Sequence, residues 1–355
     1  SRDGDSAART EAGTGSEAGT GQDWDDPLEE LAFRREQALL QGGEAAIGRQ
    51  HAAGRLTIRE RIAALTDADS FREVGSLAGA GSYDAQNRLV SVTPAPYVAG
   101  LARIDGRPVA LGGEDFTVRG GTTFGSQRRK GGQGGFVEDL AWHYRIPLVN
   151  LIDGAGGSVT SIKKRGHSVF PGVHGFERSV SLLGAVPVAS AVLGTAAGGP
   201  AGRAILSHFS VMVRGRSQIF AAGPPVVKRS LGTEIDKEAL GGAAVAVDAA
   251  GTIHNAADTE EEAFEQIRRF LSYLPSNVWE APPVLPTDDP ADRRDEGLAT
   301  VVPKKRTQPY HMRKLLKLVI DRDSGFEICP TNGKPLITML ARLGGRSVGI
   351  VANNP

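Results

Sequence analysis

Two pairs of glycines are the residues of this sequence whose position best suits chemistry. Gly156 and Gly157 lie in "GAGGSVTS", directly after the apolar run "VNLID", and Gly198 and Gly199 lie in "TAAGGPAGRA", after "VASAVLG". Amide N–H groups at the start of a helix have no partner in the helix, and the helix dipole there favours negative charge. Glycine leaves such amides open to a ligand because it has no β-carbon. We predict that one N–H from each loop binds the same carbonyl oxygen, as in an oxyanion hole.

A different interpretation is open for each glycine loop taken alone. Gly198 and Gly202 are four residues apart and would also allow a helix to pack closely against a sheet. Asp153, at the end of the strand before the first pair, is either a catalytic carboxylate or, more commonly, a cap for the next turn. The occurrence of two such loops after two neighbouring predicted strands favours a site over packing.

Several cations near glycine-rich segments could bind phosphate groups. The stretch "EDFTVRGGTTFGSQRRKGGQGG" (114–135) combines a glycine-rich loop with a short basic run, and a further arginine lies in the helix after the second glycine pair. The alternative is a solvated basic turn. The candidate anion-binding residues are Arg119, Gly120, Gly121, Arg128, Arg129, Lys130 and Arg203.

Familiar catalytic motifs are missing from the sequence. His167, His174 and His208 do not form a metal-ligand spacing with any pair of carboxylates, so we predict no metal site in this chain. The sequence also has no phosphate-binding loop, no nucleophile-elbow serine and no complete dinucleotide fingerprint.

Composition limits the classes of partner. The 355 residues include 41 basic and 41 acidic side chains, so no overall charge favours nucleic acid. No apolar run approaches the roughly 20 residues of a membrane helix. Residues 1–23 lack the apolar segment of a signal peptide and are predicted to be a disordered tail. A single cysteine, Cys329, rules out an intrachain disulfide and fits a reducing compartment, and we predict a cytoplasmic protein.

The glycine pairs require a parallel sheet to bring them together. Apolar runs at 147–153, 187–194 and 209–213 alternate with helical stretches near 133–145, 174–184 and 199–207. Continuous apolar strands separated by helices indicate a parallel sheet buried on both faces. Ligands bind at the carboxyl ends of such strands, which is where both glycine pairs lie.

Local signals predict the elements around this sheet. Ordered structure is expected to begin near Pro27 with a helix that Gly42 and Gly43 end. Thr57 and Glu60 form a capping box, and Asp105-Gly106 between two apolar runs predicts a hairpin. Thr259 caps an amphipathic helix that ends before Pro275, and the Pro- and Asp-rich stretch to Pro303 is expected to be a surface linker.

An internal repeat indicates a duplicated architecture. The segment "LARIDGRPV" (101–109) matches "LARLGGRSV" (340–348) at six of nine positions, and "DADSFREV" (67–74) is similar to "DRDSGFEI" (321–328) with one residue slipped. An amphipathic helix precedes each. Chance similarity of common hairpins is the alternative, but three elements recur in the same order. We expect one complete domain and the opening of a second copy.

A series of motifs occurs along the chain in this order: "GRLTIRERIAAL", "EDFTVRGGT", "AAGGPAGRAILSHFSVMV", "FAAGPPVVK", "EALGGAAV", "GTIHNAADTEEEA" and "RRFLSYLPSN". This series resembles the carboxyltransferase (beta) subunits of biotin-dependent acyl-CoA carboxylases, such as propionyl-CoA and acetyl-CoA carboxylase. The resemblance implies an α/β fold of the crotonase-like ββα-spiral (ClpP/crotonase) type, with one complete domain and the beginning of a duplicated second. It divides the chain into a disordered tail (1–26), an acyl-CoA-binding domain (27–274), a linker (275–303) and the start of a second domain (304–355).

The resemblance also implies an activity and its partners. In this family the first domain binds the acyl-CoA thioester and polarises its carbonyl with paired glycine-loop amides, here Gly156 or Gly157 and Gly198 or Gly199. The second domain binds carboxybiotin, carried by a separate carrier protein or subunit. The expected partners are a biotin carboxylase or biotin carboxyl carrier subunit and other carboxyltransferase subunits in a homo- or hetero-oligomer, without nucleic acid or membrane. All seven candidate anion-binding residues named above, including Gly120 and Gly121, would contact CoA.

Two departures from the family pattern affect these expectations. The loop after the first site strand reads "DGAGGSVTSIKKRG", where the family commonly has Asp-Ser-Gly-Gly-Ala-Arg, and most of the second domain is not in the sequence. The chain is therefore expected to be mainly the acyl-CoA-binding half. Two alternatives stay open: a stand-alone crotonase-type acyl-CoA decarboxylase or hydratase, and a non-catalytic scaffold subunit.

Overall fold

The structure is a computed structural model and describes residues 24–122, 136–157, 166, 176–290, 292–305 and 307–355. The α-helices are α1 Asp25–Leu39, α2 Glu44–Ala52, α3 Ile58–Leu65, α4 Phe136–Tyr144, α5 Glu177–Leu183, α6 Gly199–Ile205, α7 Pro224–Leu231, α8 Lys237–Gly241, α9 Glu260–Ser272, α10 Leu298–Val301 and α11 Met312–Val319. The strands are β1 Arg72–Glu73, β2 Gly79–Tyr83, β3 Leu89–Pro94, β4 Tyr97–Ile104, β5 Arg107–Glu114, β6 Leu148–Gly154, β7 Val188–Ala197, β8 Phe209–Val213, β9 Gln218–Phe220, β10 Asn255–Ala257, β11 Phe326–Ile328, β12 Leu336–Leu343 and β13 Arg346–Asn353.

One mixed sheet forms the centre of the first domain. Its strand order is β1-β4-β5-β6-β7-β8-β10, and β9 pairs with the last residues of β7. The pairs β1–β4 and β4–β5 are antiparallel, whereas β5, β6, β7, β8 and β10 run parallel to one another. The predicted parallel sheet is confirmed, and the carboxyl ends of its parallel strands therefore meet at one edge.

Alternate side chains of the parallel strands enter different hydrophobic cores. Leu151, Ala191 and Val211 pack in a core with apolar residues of α3 and α9 on one face. Their neighbours on the other face pack with residues of α6 and the π-helix Ala244–Ala249. The strands β6 and β8 are buried along their whole length because helices cover both faces, as the continuous apolar runs predicted.

Local sequence signals are confirmed at several element ends. The Thr57 hydroxyl accepts the N–H of Glu60, and the Glu60 side chain accepts the N–H of Thr57, so the capping box at α3 is complete. Thr259 caps α9 by accepting the N–H of Glu262. Asp105, with a φ of 50°, forms the tight turn of the β4–β5 hairpin.

The predicted duplication is visible in matching hydrogen bonds. Before the first hairpin, the two carboxylate oxygens of Asp67 accept the N–H groups of Asp105 and Gly106 at 2.9 and 2.8 Å. Before the second, Asp321 accepts the N–H groups of both glycines of the β12–β13 turn at 2.8 and 2.7 Å. The same latch therefore fixes the hairpin in each copy.

An ion pair is repeated in the two copies as well. Arg59 of α3 lies 2.9 Å from Glu73 of β1, and Arg313 of α11 donates to Glu327 of β11 at 2.8 Å. Each pair joins a helix to the short strand that follows it. Together with the latch, these contacts show that the sheet β11-β12-β13 repeats β1-β4-β5.

Residues 275–303 run between the two copies with few regular elements. Val278 donates its N–H to Ala185 of the first domain at 3.0 Å, and Leu285 donates its N–H to Gly345 of the second copy at 3.0 Å. Arg293 donates to the carbonyls of Leu318 and Ile320. This segment is thus held against both copies. In the described ranges we find no helix with the length and apolar character needed to cross a membrane.

Candidate active site

Three turns meet where the parallel strands β5, β6 and β7 end. The N–H of Ala155, after β6, donates to the carbonyl of Gly120, in the turn after β5, at 3.0 Å. A β-carbon on Gly156 would lie 2.6 Å from the carbonyl oxygen of Ala197, the last residue of β7. The two predicted glycine loops are therefore in contact, and the turn after β5 lies against the first of them.

In the second loop, Gly199 offers the amide at the start of α6. Gly198 has a φ of 64° and a ψ of −117°, a conformation that favours glycine, and its N–H donates to the carbonyl of Phe220 in β9 at 3.2 Å. Pro200 has no N–H. The described residues give the Gly199 N–H no backbone acceptor, so of this glycine pair Gly199 is the better candidate donor.

In the first loop, Gly156 and Gly157 have different surroundings. Gly156 has a φ of 79° and is buried against Ala197. Gly157 is exposed, and no atom of the described part of the chain lies within 4 Å of the position that its β-carbon would occupy. Among the described residues, nothing fills the space beside the α-carbon of Gly157, whereas Gly156 allows the loop to pack on the end of β7.

A buried carboxylate lies beneath all three turns. Glu114, the last residue of β5, is 1% exposed and forms an ion pair with Arg203 of α6. Its second oxygen accepts the N–H of Asp153 at 3.4 Å. Arg203 is also 1% exposed and donates to the hydroxyl of Tyr97, the residue opposite Glu114 on β4, at 3.1 Å. Burial raises the pKa of Tyr97 to about 12, so its hydroxyl stays neutral at physiological pH.

A second buried network holds the end of β6. One oxygen of Asp153 accepts hydrogen bonds from Arg61 of α3 at 2.9 Å and from Gln50 of α2 at 3.0 Å. Arg61 also forms two hydrogen bonds of 2.8 Å with Glu260 at the start of α9 and donates to the carbonyl of Leu193 at 3.2 Å. Burial favours the neutral form of Arg61, but the two carboxylates outweigh this and raise its pKa overall.

Asp153 is consequently an ion-paired structural residue. The sequence left catalysis and capping open as roles for Asp153. Neither role fits, because the Asp153 side chain is fully buried and turned towards Arg61. The network joins α2, α3, β6 and α9, and so fixes the strand from which the first glycine loop begins.

The other candidate residues from the sequence lie in three different situations. Arg119, Gly120 and Gly121 form a 3-10 turn a few residues after the end of β5, and Arg119 is exposed at the same edge of the sheet as the glycine loops. Arg128, Arg129 and Lys130 lie outside the described residues. Arg203 does not fit the expected contact with CoA, because its guanidinium is buried in the ion pair with Glu114 and cannot reach a dissolved anion.

The histidines show no metal site in the part of the chain that the structure describes. His167 and His174 lie outside it. His208 accepts the N–H of Val188 at 3.1 Å, and burial lowers its pKa. No group of three or more His, Cys, Asp or Glu side chains that could hold a metal ion is found among the described residues.

Sequence reasoning missed the buried ion pairs that support the turns, although one of the charged residues, Arg61, carried a signal. Arg61 follows Ile58 by three residues and precedes Leu65 by four, so it lies on the apolar face of α3, where a charge requires a buried partner. The partner itself, Glu260, is 199 positions away and could not be identified from spacing. Glu114 and Arg203 are separated by 89 positions.

Comparison with known proteins places these features in a family. The family model described as "Carboxyl transferase domain" matches residues 49–355. The carboxyltransferase subunit of propionyl-CoA carboxylase from Haloferax mediterranei is 36% identical over 336 residues, which cover 93% of this chain and 63% of that protein. The methylmalonyl-CoA decarboxylase alpha subunit of Veillonella parvula is 33% identical, over 88% of this chain and 60% of that protein.

A solved structure shows the same fold. The crystal structure of transcarboxylase 12S, with methylmalonyl-CoA and methylmalonic acid bound, matches 92% of this chain and 62% of that one, with a TM-score of 0.80 and 30% identity. This chain thus spans slightly less than two thirds of the length of these relatives. Its mixed sheet, the covering helices and the repeated hairpin agree with a crotonase-like α/β fold and a duplicated second domain. The chain belongs to the carboxyl transferase domain family.

Proposed function

We propose that this chain is the acyl-CoA-binding part of the carboxyltransferase component of a biotin-dependent acyl-CoA carboxylase. The substrate would be a short-chain acyl-CoA of the propionyl- or acetyl-CoA type. The observation that carries the proposal is the contact of two glycine loops at the carboxyl ends of β6 and β7. Among the described residues, no atom lies near the β-carbon position of Gly157, and the Gly199 amide has no backbone acceptor. Family membership and the relatives named above support it.

The chemistry required of this chain is stabilisation of an enolate. The α-carbon of a thioester is only weakly acidic, and its conjugate base carries negative charge on the carbonyl oxygen. Two preorganised N–H donors stabilise that oxygen more in the transition state than in the ground state, which lowers the barrier. One such donor contributes on the order of 3 kcal/mol. In this proposal one donor is an amide of the loop with Gly156 and Gly157. The other is an amide of the loop with Gly198 and Gly199.

The remaining groups would come from a partner. Biotin, on a separate carrier protein or subunit, would supply the carboxyl group as carboxybiotin and leave a nitrogen base for the α-proton. We place no biotin contact in the described residues, because the second copy contributes only a helix and a three-stranded sheet to them. A biotin carboxyl carrier subunit, further carboxyltransferase subunits and a cytoplasmic location complete the proposal.

Buried ion pairs argue against the stand-alone crotonase-type enzyme. Such a catalyst usually needs a carboxylate beside the oxyanion hole as its acid or base. Glu114 and Asp153, at the ends of the strands that lead into the site, are both buried in ion pairs with arginine. A carboxylate held in this way is a poor base, because protonating it would leave an unpaired buried arginine. Decarboxylation of an acyl-CoA is the second candidate function, because the relative from Veillonella parvula is named as a decarboxylase subunit.

One experiment separates these functions. Propionyl-CoA binding to the chain is measured by calorimetry, and the chain is then mixed with carboxybiotin and propionyl-CoA, with and without a subunit that carries the complete second domain. We expect binding by the chain alone and methylmalonyl-CoA, detected by mass spectrometry, only when that subunit is present. Release of CO2 from methylmalonyl-CoA by the chain alone would favour the decarboxylase, and binding without turnover in every mixture would favour the scaffold.

A further inference from the structure

The ion pair between Glu114 and Arg203 joins every element that contributes to the candidate oxyanion site. Glu114 ends β5, and the 3-10 turn of Arg119–Gly121 follows a few residues later. Its oxygens bind the N–H of Asp153, at the end of β6, and the guanidinium of Arg203, in α6 after β7. One side chain thus contacts the end of β6 and the helix that begins with Gly199.

The side chain of Glu114 packs closely against the residues around it. A β-carbon on Gly154 would lie 2.8 Å from Cγ of Glu114, and one on Gly121 would lie 2.8 Å from its Cβ. The Gly154 β-carbon would also lie 3.1 Å from Pro200, in the first turn of α6. Glu114 therefore fills the space between the two loops and the turn after β5, and a shift of its side chain would move all three.

Arg203 is fixed on its far side as well. Its guanidinium donates to the Tyr97 hydroxyl at 3.1 Å and lies 5.4 Å from the centre of the Tyr97 ring. Tyr97 and Glu114 are directly opposite in the β4–β5 pair, so Arg203 bridges a cross-strand pair of the sheet. Since Arg203 is one turn after Gly199, the contact ties the first turn of α6 to the sheet.

Stability alone is a weak explanation for a buried pair of this kind. Removing two charges from water costs about as much as their attraction returns, and apolar residues of the same volume are often as stable. A guanidinium that donates to two fixed partners, here Glu114 and the Tyr97 hydroxyl, does fix distance and direction, and an oxyanion site depends on both.

We propose that Glu114 and Arg203 are positioning residues that hold the two glycine-loop amides at the spacing an enolate oxygen requires. This inference rests on the proposed function. Neither side chain would contact the substrate, because both are buried beneath the loops. Their effect would be on the binding of an anionic oxygen and not on the binding of CoA itself.

The test compares two CoA thioethers by calorimetry. One carries a nitronate, whose anionic oxygens mimic the enolate, and the other is the matched alkyl thioether without them. The ratio of the two affinities reports how well the site binds the oxyanion. In the double variant Glu114→Gln with Arg203→Met, which removes both charges together, we expect this ratio to fall by about 10- to 100-fold. Affinity for the alkyl thioether and the melting temperature should stay close to those of the wild type.

A matched control removes an ion pair elsewhere. Arg313→Met with Glu327→Gln deletes the pair of the second copy and should leave the ratio unchanged. If the Glu114 and Arg203 double variant does not fold, Arg203→Lys keeps the charge but loses the planar group that reaches Glu114 and Tyr97 together, and its ratio should also fall.

The possible outcomes are distinct. A ratio equal to that of the wild type in a folded Glu114 and Arg203 variant would overturn the positioning role. A lower melting temperature with an unchanged ratio would assign the pair to stability alone and overturn it too. If the wild-type chain binds neither thioether, the proposed function itself fails.

Discussion

At the scale of single residues, Gly157 is where a side chain can be added to the candidate site with least effect on the fold. Gly157→Val places two methyl groups in the space through which a thioester oxygen would approach the amide. We expect the affinity for propionyl-CoA, measured by calorimetry, to fall by about tenfold or more. The free energy of unfolding should change by less than about 0.5 kcal/mol, because the residue is exposed and has no close neighbour among the described residues.

Gly349 provides the control for this prediction. It is also exposed, also has no described atom within 4 Å of its β-carbon position, and lies in β13 of the second copy. Gly349→Val should leave propionyl-CoA binding unchanged. Equal affinities in the two variants and the wild type would remove Gly157 from the site.

The sequence predicts the location of this site but not the role of each amide. Glycine pairs after two apolar strands were sufficient to place two loops at one edge of a parallel sheet. The sequence could not show that the Gly198 amide binds Phe220, because that bond depends on β9 pairing with the extension of β7. The ion pairs of Arg61 and Arg203 were also out of reach, since their partners are distant in the chain.

At the scale of elements, the hairpin latch is the clearest product of the duplication, and it can be tested in both copies. Asp67→Asn and Asp321→Asn each replace one of the two carboxylate oxygens that accept turn N–H groups. We expect a loss of about 1–2 kcal/mol in the free energy of unfolding, measured with urea, for each. The loss should be larger at Asp321, which is buried, than at Asp67, which is half-buried.

Neighbouring aspartates supply matched controls for the latch. Asp69 and Asp323 lie two residues after the latch in their copies, and both have a positive φ, which asparagine also tolerates. Asp69→Asn and Asp323→Asn should change stability by less than about 0.5 kcal/mol. A loss at Asp67 with none at Asp321 would mean that the second hairpin does not depend on the same latch.

Elements were predictable where one local signal determined them. The capping box of α3 and the Asp105-Gly106 turn involve residues within a few positions of each other, and the repeat was readable because the latch residues recur in order. The helix α7 and the π-helix Ala244–Ala249 were not expected. A π-helix has no sequence signature of its own and follows from how its residues pack on the sheet.

At the scale of the whole molecule, the second copy is joined to the first through a shared core. Phe326 of β11 is 6% exposed, and its ring packs edge-on to Phe209 of β8 at a centroid distance of 5.3 Å. The side chain of Asn255, in the edge strand β10, donates to the carbonyl of Glu327 at 3.0 Å and accepts the N–H of Cys329 at 3.0 Å. Through these contacts the second copy packs against β8 and β10, at the edge of the first domain's sheet.

This arrangement predicts that the two copies unfold together. Phe326→Ala removes an aromatic ring from the main core, and we expect a loss of about 3–5 kcal/mol in the free energy of unfolding. Urea transitions followed by circular dichroism and by tryptophan fluorescence should stay coincident, because the only tryptophans, Trp24, Trp142 and Trp279, precede the repeat while circular dichroism reports both copies. Leu336→Ala, at a half-exposed position of β12, should cost less than about 1 kcal/mol. Separate transitions in the Phe326 variant would show instead that the repeat folds independently, and its contacts with β8 and β10 would then be a docked interface between two units.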